Sequence, residues 1–289
     1  MNTIILNSSH KDPNSNCRFV YNFPSNAKFA TGDTIGVESL SLYNSIFNVE
    51  ASRSNNTFSI IWNANTSVTY NFTIPDGFYD IPALNYYIQY CCVQNKLYAI
   101  NSAGNFVYFV ELVIASTVYG CELRCLALPD QSEATSLSYT APSGATWSFH
   151  ATLDRTPQFI INTNAFGALF GFVAGTFPSS VLTTSQYISS TVTPTISPVS
   201  ALVLTCNMVN SELSNPVNVF YSTDLSAPYG EMMHSANATR LDIPIFEGAY
   251  NSINIEFLSQ TFERVVLHDF QLLLKLVIIR APKLKTIQN

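Results

Sequence analysis

The chain has 289 residues, with 13 Lys and Arg against 19 Asp and Glu, a net charge of −6. That balance argues against a nucleic-acid binder, whose footprint is a basic field. Hydrophobic residues make up 47% but charged ones only 11%, less than half of the roughly 25% usual in soluble domains, so a surface filled in by Ser, Thr and Asn suggests that much of it faces other protein.

Nothing in Met1–Asn7 reads as a signal peptide, because the apolar part is short and soon meets His10, Lys11 and Asp12. The sequons at Asn7, Asn55, Asn65, Asn71 and Asn237 are by-products of a chain rich in Asn, Ser and Thr. Cys17, Cys91, Cys92, Cys121, Cys125 and Cys206 read as reduced, mostly buried thiols of a protein made in the cytoplasm.

Asp33 to Val49 reads as one long strand whose parity slips. Ile35 and Val37 lie on one face and Leu40 and Leu42 on the other, so an extra residue near Glu38-Ser39 is expected to bulge. Next, Phe58, Ile60 and Trp62 alternate with Thr57, Ser59 and Ile61; after Asn63-Ala64-Asn65 the alternation resumes with Val68, Tyr70, Phe72 and Ile74. This is a hairpin with one buried face. One segment reads as helix: Asp80 caps it, Pro82 sits in its first turn, and Ile81, Leu84, Ile88 and Cys91 share a face.

From Thr156 to Ser211 there is no Asp, Glu, Lys or Arg, yet Phe166, Phe170, Phe172, Phe177 and Tyr187 fall within it. Disorder normally brings charge and few aromatics, so the stretch reads as an extended arm laid against another protein. Within it, Gly167, Gly171 and Gly175 point to close backbone packing or a turn; the apolar run around them is too short to span a bilayer and Pro178 closes it.

Further strands are expected through Leu202-Leu204-Cys206, Leu241-Ile243-Ile245 and Ile253-Ile255-Phe257. Leu272 to Ile279 is apolar on both faces and suits a strand buried between layers, with Lys275 as its anomaly. The chain ends with Lys275, Arg280, Lys283 and Lys285, a basic end that reads as solvated but is able to touch nucleic acid weakly. Taken together the elements make an all-β jelly-roll sandwich, a single domain over 1–289, with an inserted β-rich portion at about 54–166 and one short helix.

No chemical motif stands out. There is no phosphate-binding glycine loop ending in Lys-Ser or Lys-Thr and no dinucleotide loop. Cys121 and Cys125 form one CxxxC without a second pair, and the histidines are far apart. His268-Asp269 with Cys206 lacks any protease signature. Glu111, Glu122, Glu231 and Glu256 read as surface residues, although a glycosidase pair can come from distant strands. A sugar-binding sandwich would use Trp as its platform, and only Trp62, on the buried face of the hairpin, and Trp147 are present. The sequence therefore yields no catalytic, cofactor or metal residue, and reads as a non-enzyme.

Several segments in order resemble the penton, or minor capsid, proteins of virophages and Polinton-like viruses. They are Thr73-Ile74-Pro75-Asp76-Gly77-Phe78-Tyr79 with Leu84 to Gln89; Phe166 to Phe172 with Gly175 to Pro178; Leu204 to Asn210 with Asn215-Pro216 and Val219 to Ser222; and the closing strands Ile253 to Phe257 and on to Ile279. The resemblance implies a single jelly roll with an inserted outer portion, assembling as a homopentamer at icosahedral vertices beside trimeric double-jelly-roll major capsid proteins. It places the protein in the virion capsid, made in the cytoplasm of the host, with no membrane span. The family's motifs read as fold positions, so no contact residue is carried over. The alternatives are another minor capsid or cement protein, or a carbohydrate-binding β-sandwich.

Overall fold

The computed structural model describes residues 1–115, 119–209, 214–236 and 240–282. The chain divides into two compact units, Met1–Ile46 with Val199 onward, and Phe47–Pro198. The first unit opens with β1 (Asn2–Asn7), β2 (Arg18–Phe29) and β3 (Thr34–Tyr43). The second holds β4 (Thr57–Asn63), β5 (Ser67–Thr73), β6 (Ala99–Ile100), β7 (Phe106–Val107), β8 (Val110–Ala115) and β9 (Gly120–Cys125). It continues with β10 (Gln158–Ile161), β11 (Gly175–Phe177) and β12 (Gln186–Ser189), and carries the helices α1 (Ile81–Gln94), α2 (Gln131–Ser136) and α3 (Asn164–Ala168). The chain then returns to the first unit with β13 (Ala201–Cys206), β14 (Val219–Asp224), β15 (Met232–Ala236), β16 (Ile243–Pro244), β17 (Gly248–Ser259) and β18 (Leu272–Ile279).

In the first unit one antiparallel sheet has the order β1-β18-β3-β15, with β16 also on β3, and the other has the order β14-β13-β17-β2. Successive strands cross from one sheet to the other, except β13 to β14, which are neighbours, and β15 to β16, which share one edge of β3. That strand order is the jelly roll. The two inner faces meet in one core: Ile4, Leu6, Ile35, Leu42, Leu274 and Leu276 from the first sheet, and Phe19, Leu204, Phe220, Ile253, Ile255 and Phe257 from the second. The second unit is inserted between β3 and β13. Its bounds lie outside the expected 54–166 on both sides.

The parity slip in β3 is a bulge. Lys275 pairs with Ser39 and Leu276 with Val37, which leaves Glu38 as the extra residue. Ile35, Val37, Leu40 and Leu42 are all buried as a result. The strand is shorter than expected and ends at Tyr43.

β18 is central in its sheet rather than buried between layers. Its Leu273 is exposed, and Lys275 sits on the same outward face, which removes the anomaly. Where that face does become dry, at Val277, the paired residue is Gly36, and Arg240–Asp242 lies over it. A Cβ on Gly36 would sit 2.7 Å from the Leu241 carbonyl oxygen. The strand expected through Leu241 is reduced to β16, and Leu241 itself is exposed. Pro244 cannot donate to a ladder, which suits a short edge piece.

In the second unit the sheets are β11-β10-β4-β5, β12-β9-β8 and the β6-β7 pair. The expected hairpin is β4–β5, with Phe58 opposite Phe72, Ile60 opposite Tyr70 and Trp62 opposite Val68. Phe58 stacks on Phe72, Phe159 and Phe166 at 5.0, 5.1 and 6.0 Å between ring centroids. The expected helix is α1: the Asp80 side chain accepts from the Ala83 amide at 2.8 Å, and Ile81, Leu84, Ile88 and Cys91 are buried. Two short helices were not anticipated, α2 capped by Asp130 and α3 capped by Thr163.

The charge-free stretch is not an arm throughout. Its two ends form β10, α3, β11 and β13, and bury Phe166, Phe170 and Phe172 in one unit and Leu202 and Leu204 in the other. Burial within this chain accounts for the missing charge there, whereas 179–200, which holds β12, is mostly exposed or half-buried. The last residues of the stretch, Asn210 and Ser211, lie outside the described residues.

Candidate interaction surfaces

Inside the two units the chemistry-bearing residues are packing residues. All six cysteines are free and buried. Burial pushes the thiols of Cys91 and Cys121 up to about 11 and those of Cys92, Cys125 and Cys206 up to about 12, so none of these five is a thiolate at neutral pH. Cys121 and Cys125 face the core from β9. No group of three or more His, Cys, Asp and Glu is placed to hold a metal ion among the described residues. His268 and Asp269 are ordered through their backbone amides, both of which donate to the Ser45 hydroxyl. Trp62 is 1% exposed and Trp147 is also buried, its indole N–H donating to the Lys96 carbonyl at 2.6 Å. Neither ring is a surface platform.

Three of the four carboxylates singled out in the sequence, Glu111, Glu122 and Glu256, lie in ion pairs. Glu122 accepts from Arg124 Nε at 2.8 Å, and Glu111 lies 3.9 Å from the same guanidinium. Glu256 lies between Arg18 and Arg264, at 3.8 and 3.6 Å. Glu231 supplies its backbone carbonyl to the Asn44 amide. Of the basic end, Arg280 turns back onto the jelly roll, while Lys283 and Lys285 lie outside the described residues, as does Asn237.

Arg280 is part of a clasp that sequence reasoning missed. The Asp33 carboxylate is buried in the β2–β3 turn and accepts from the amides of Ala30 and Ala281, at 3.1 and 2.8 Å, and from Arg280 at 2.6 Å. The same guanidinium donates to the Lys28 carbonyl and lies 4.1 Å over the Phe29 ring. A cleft of about 490 Å³ lined by these residues opens beside it. The partners are about 250 residues apart in sequence, so no local pattern announces them.

A larger cleft, about 600 Å³, lies on the second unit where Ser189–Thr193 borders the β12-β9-β8 sheet, with Tyr119 at its rim. The larger sheets have their edges at β1 and β15 in one jelly-roll sheet, β14 and β2 in the other, and β11, β5, β12 and β8 in the second unit. β5 is Ser67-Val68-Thr69-Tyr70-Asn71-Phe72-Thr73, uncharged and largely exposed, without the charge that blunts an edge. No helix is long and apolar enough to cross a membrane among the described residues.

No protein-family model matches the chain, and no curated protein does. Among solved structures, the crystal structure of the SeMet-labelled mavirus penton protein is similar, at 11% identity and a TM-score of 0.41, over 97% of this chain and 100% of that one. The fold assignment rests on the strand order and register described above.

Proposed function

We propose that the chain is a structural virion protein, the penton that closes the five-fold vertices of an icosahedral capsid and abuts trimers of double-jelly-roll major capsid protein. The observation that carries this reading is the jelly roll itself, with an interior lined by apolar side chains. Jelly-roll sandwiches serve as capsid domains, lectins and cupins. Cupin chemistry needs polar ligands inside the sandwich, whereas the facing residues here are Leu6, Phe19, Ile35, Leu204, Ile255, Phe257 and their neighbours. The work of such a fold lies on its outside. A surface poor in charge, with 11% of all residues ionisable as Asp, Glu, Lys or Arg, suits a subunit that spends its life against other protein. The ordered segments resembling virophage and Polinton-like pentons point the same way.

A five-fold ring closes through head-to-tail contacts, one side of each copy meeting the opposite side of the next. The edges β1 and β15, and β2 and β14, lie on opposite borders of their sheets and supply two such sides. Electron microscopy of the purified chain tests this: class averages should show rings with five-fold symmetry. Closed rings of three or six copies would contradict the vertex role and favour another minor capsid or cement protein.

A further inference from the structure

We infer that the second unit carries a binding site for a neutral glycan, seated on the outward face of the β12-β9-β8 sheet. Register defines that face. Cys121, Leu123 and Cys125 of β9 point into the core, so Glu122 and Arg124 point outward. Across the sheet Arg124 pairs with Tyr187 and Glu111, and Glu122 pairs with Ser189 and Val113. Ser190–Thr193 forms a wall, and the Tyr119 ring, 78% exposed, stands at the rim of the 600 Å³ cleft.

The chemistry of the lining selects the ligand class. Arg124 is already engaged by Glu122 at 2.8 Å and faced by Glu111 at 3.9 Å, and its guanidinium lies 5.8 Å from the Tyr187 ring centre. An anion would have to displace two carboxylates to reach it, so phosphate, sialate and nucleic acid are disfavoured. What remains is a hydroxyl-rich surface from Ser189, Ser190, Thr191 and Thr193. Each hydroxyl both donates and accepts, the pairing a polyol needs. Ser190 Oγ accepts from the Cys121 amide at 3.0 Å, which leaves its proton free to donate. Tyr119 and Tyr187 add exposed rings, apolar in body and polar at the tip, suited to the C–H face of a pyranose.

The wall is built before any ligand arrives. The amides of Thr191 and Val192 both donate to the Gly171 carbonyl, at 3.0 and 3.2 Å, and that of Ser190 to the Cys121 carbonyl at 2.8 Å. Gly171 has φ +86°, and a Cβ there would lie 2.3 Å from the Val192 carbonyl oxygen, so the close approach requires glycine. Such preorganisation lowers the cost of ordering a site on binding.

The inference does not depend on the vertex role, since a sugar site and a five-fold ring are read out separately. The test is the labelled full chain applied to an array of neutral and sialylated glycans. Neutral glycans should be retained. Tyr119→Ala should lower that signal about tenfold, the loss of one good contact, while Tyr86→Ala, an exposed tyrosine on α1, should leave it unchanged. A blank array, a preference for sialylated glycans, or full retention by Tyr119→Ala would overturn the site.

Discussion

At the scale of single residues, Asp33 joins the most distant parts of the sequence. Burial alone would raise its carboxyl, but the amides of Ala281 and Ala30 and the Arg280 guanidinium outweigh that and hold it below the usual carboxylate range. Its folded pKa therefore lies below the unfolded value of about 3.9. The stabilisation is complete above that unfolded value and is lost as pH falls through the lower folded one. Asp33→Ala strands three donors and should cost about 2 kcal/mol in urea unfolding at neutral pH, with the difference from the parent chain shrinking in acid. A variant as stable as the parent would show that the clasp contributes nothing. The thiols make a second residue-level prediction. Cys91, Cys92, Cys121, Cys125 and Cys206 are buried with raised pKa values, so Ellman's reagent should reach them only after denaturation; rapid titration of these five in the native protein would contradict their placement.

At the scale of elements, the register of β3 depends on one residue. Deleting Glu38 removes the bulge between the Ser39–Lys275 and Val37–Leu276 pairs. Ile35, Val37, Leu40 and Leu42 then alternate regularly on one face, so the jelly roll should still fold with a cooperative thermal transition. A deletion that fails to fold would refute Glu38 as the extra residue. This bulge was legible in the sequence because a parity slip between apolar pairs has few other causes. The β4–β5 hairpin and α1 were legible for similar reasons, strict alternation in one case and a capping Asp80 before a one-sided apolar face in the other. The rest was hidden by physics that is not local. α2 and α3 are too short to show a periodic stripe, and only the caps Asp130 and Thr163 mark them. The ends of the charge-free stretch were misread because burial in a chain's own core and burial against a partner leave the same composition. The return to the jelly roll falls inside that stretch, at Pro198–Val199, where no change of composition marks it.

At the scale of the whole molecule, the chain is a jelly roll interrupted by a second β-rich unit, each with its own apolar core. The jelly-roll core is apolar, and the candidate interaction features lie on the outside: the Asp33 clasp, the open sheet edges and the hydroxyl-lined cleft. None of these was visible in the sequence, because each is assembled from strands that meet only on folding. Ser189 and Glu122 show why: cross-strand register puts them opposite one another, and no spacing in the sequence encodes it. The central claim is that copies of this chain close a five-fold vertex. Light scattering on a size-exclusion column measures that directly. Five copies of a 31.9 kDa chain should elute as one species of about 160 kDa; a stable trimer, or a monomer that persists at every concentration and in the presence of the major capsid protein, would contradict it.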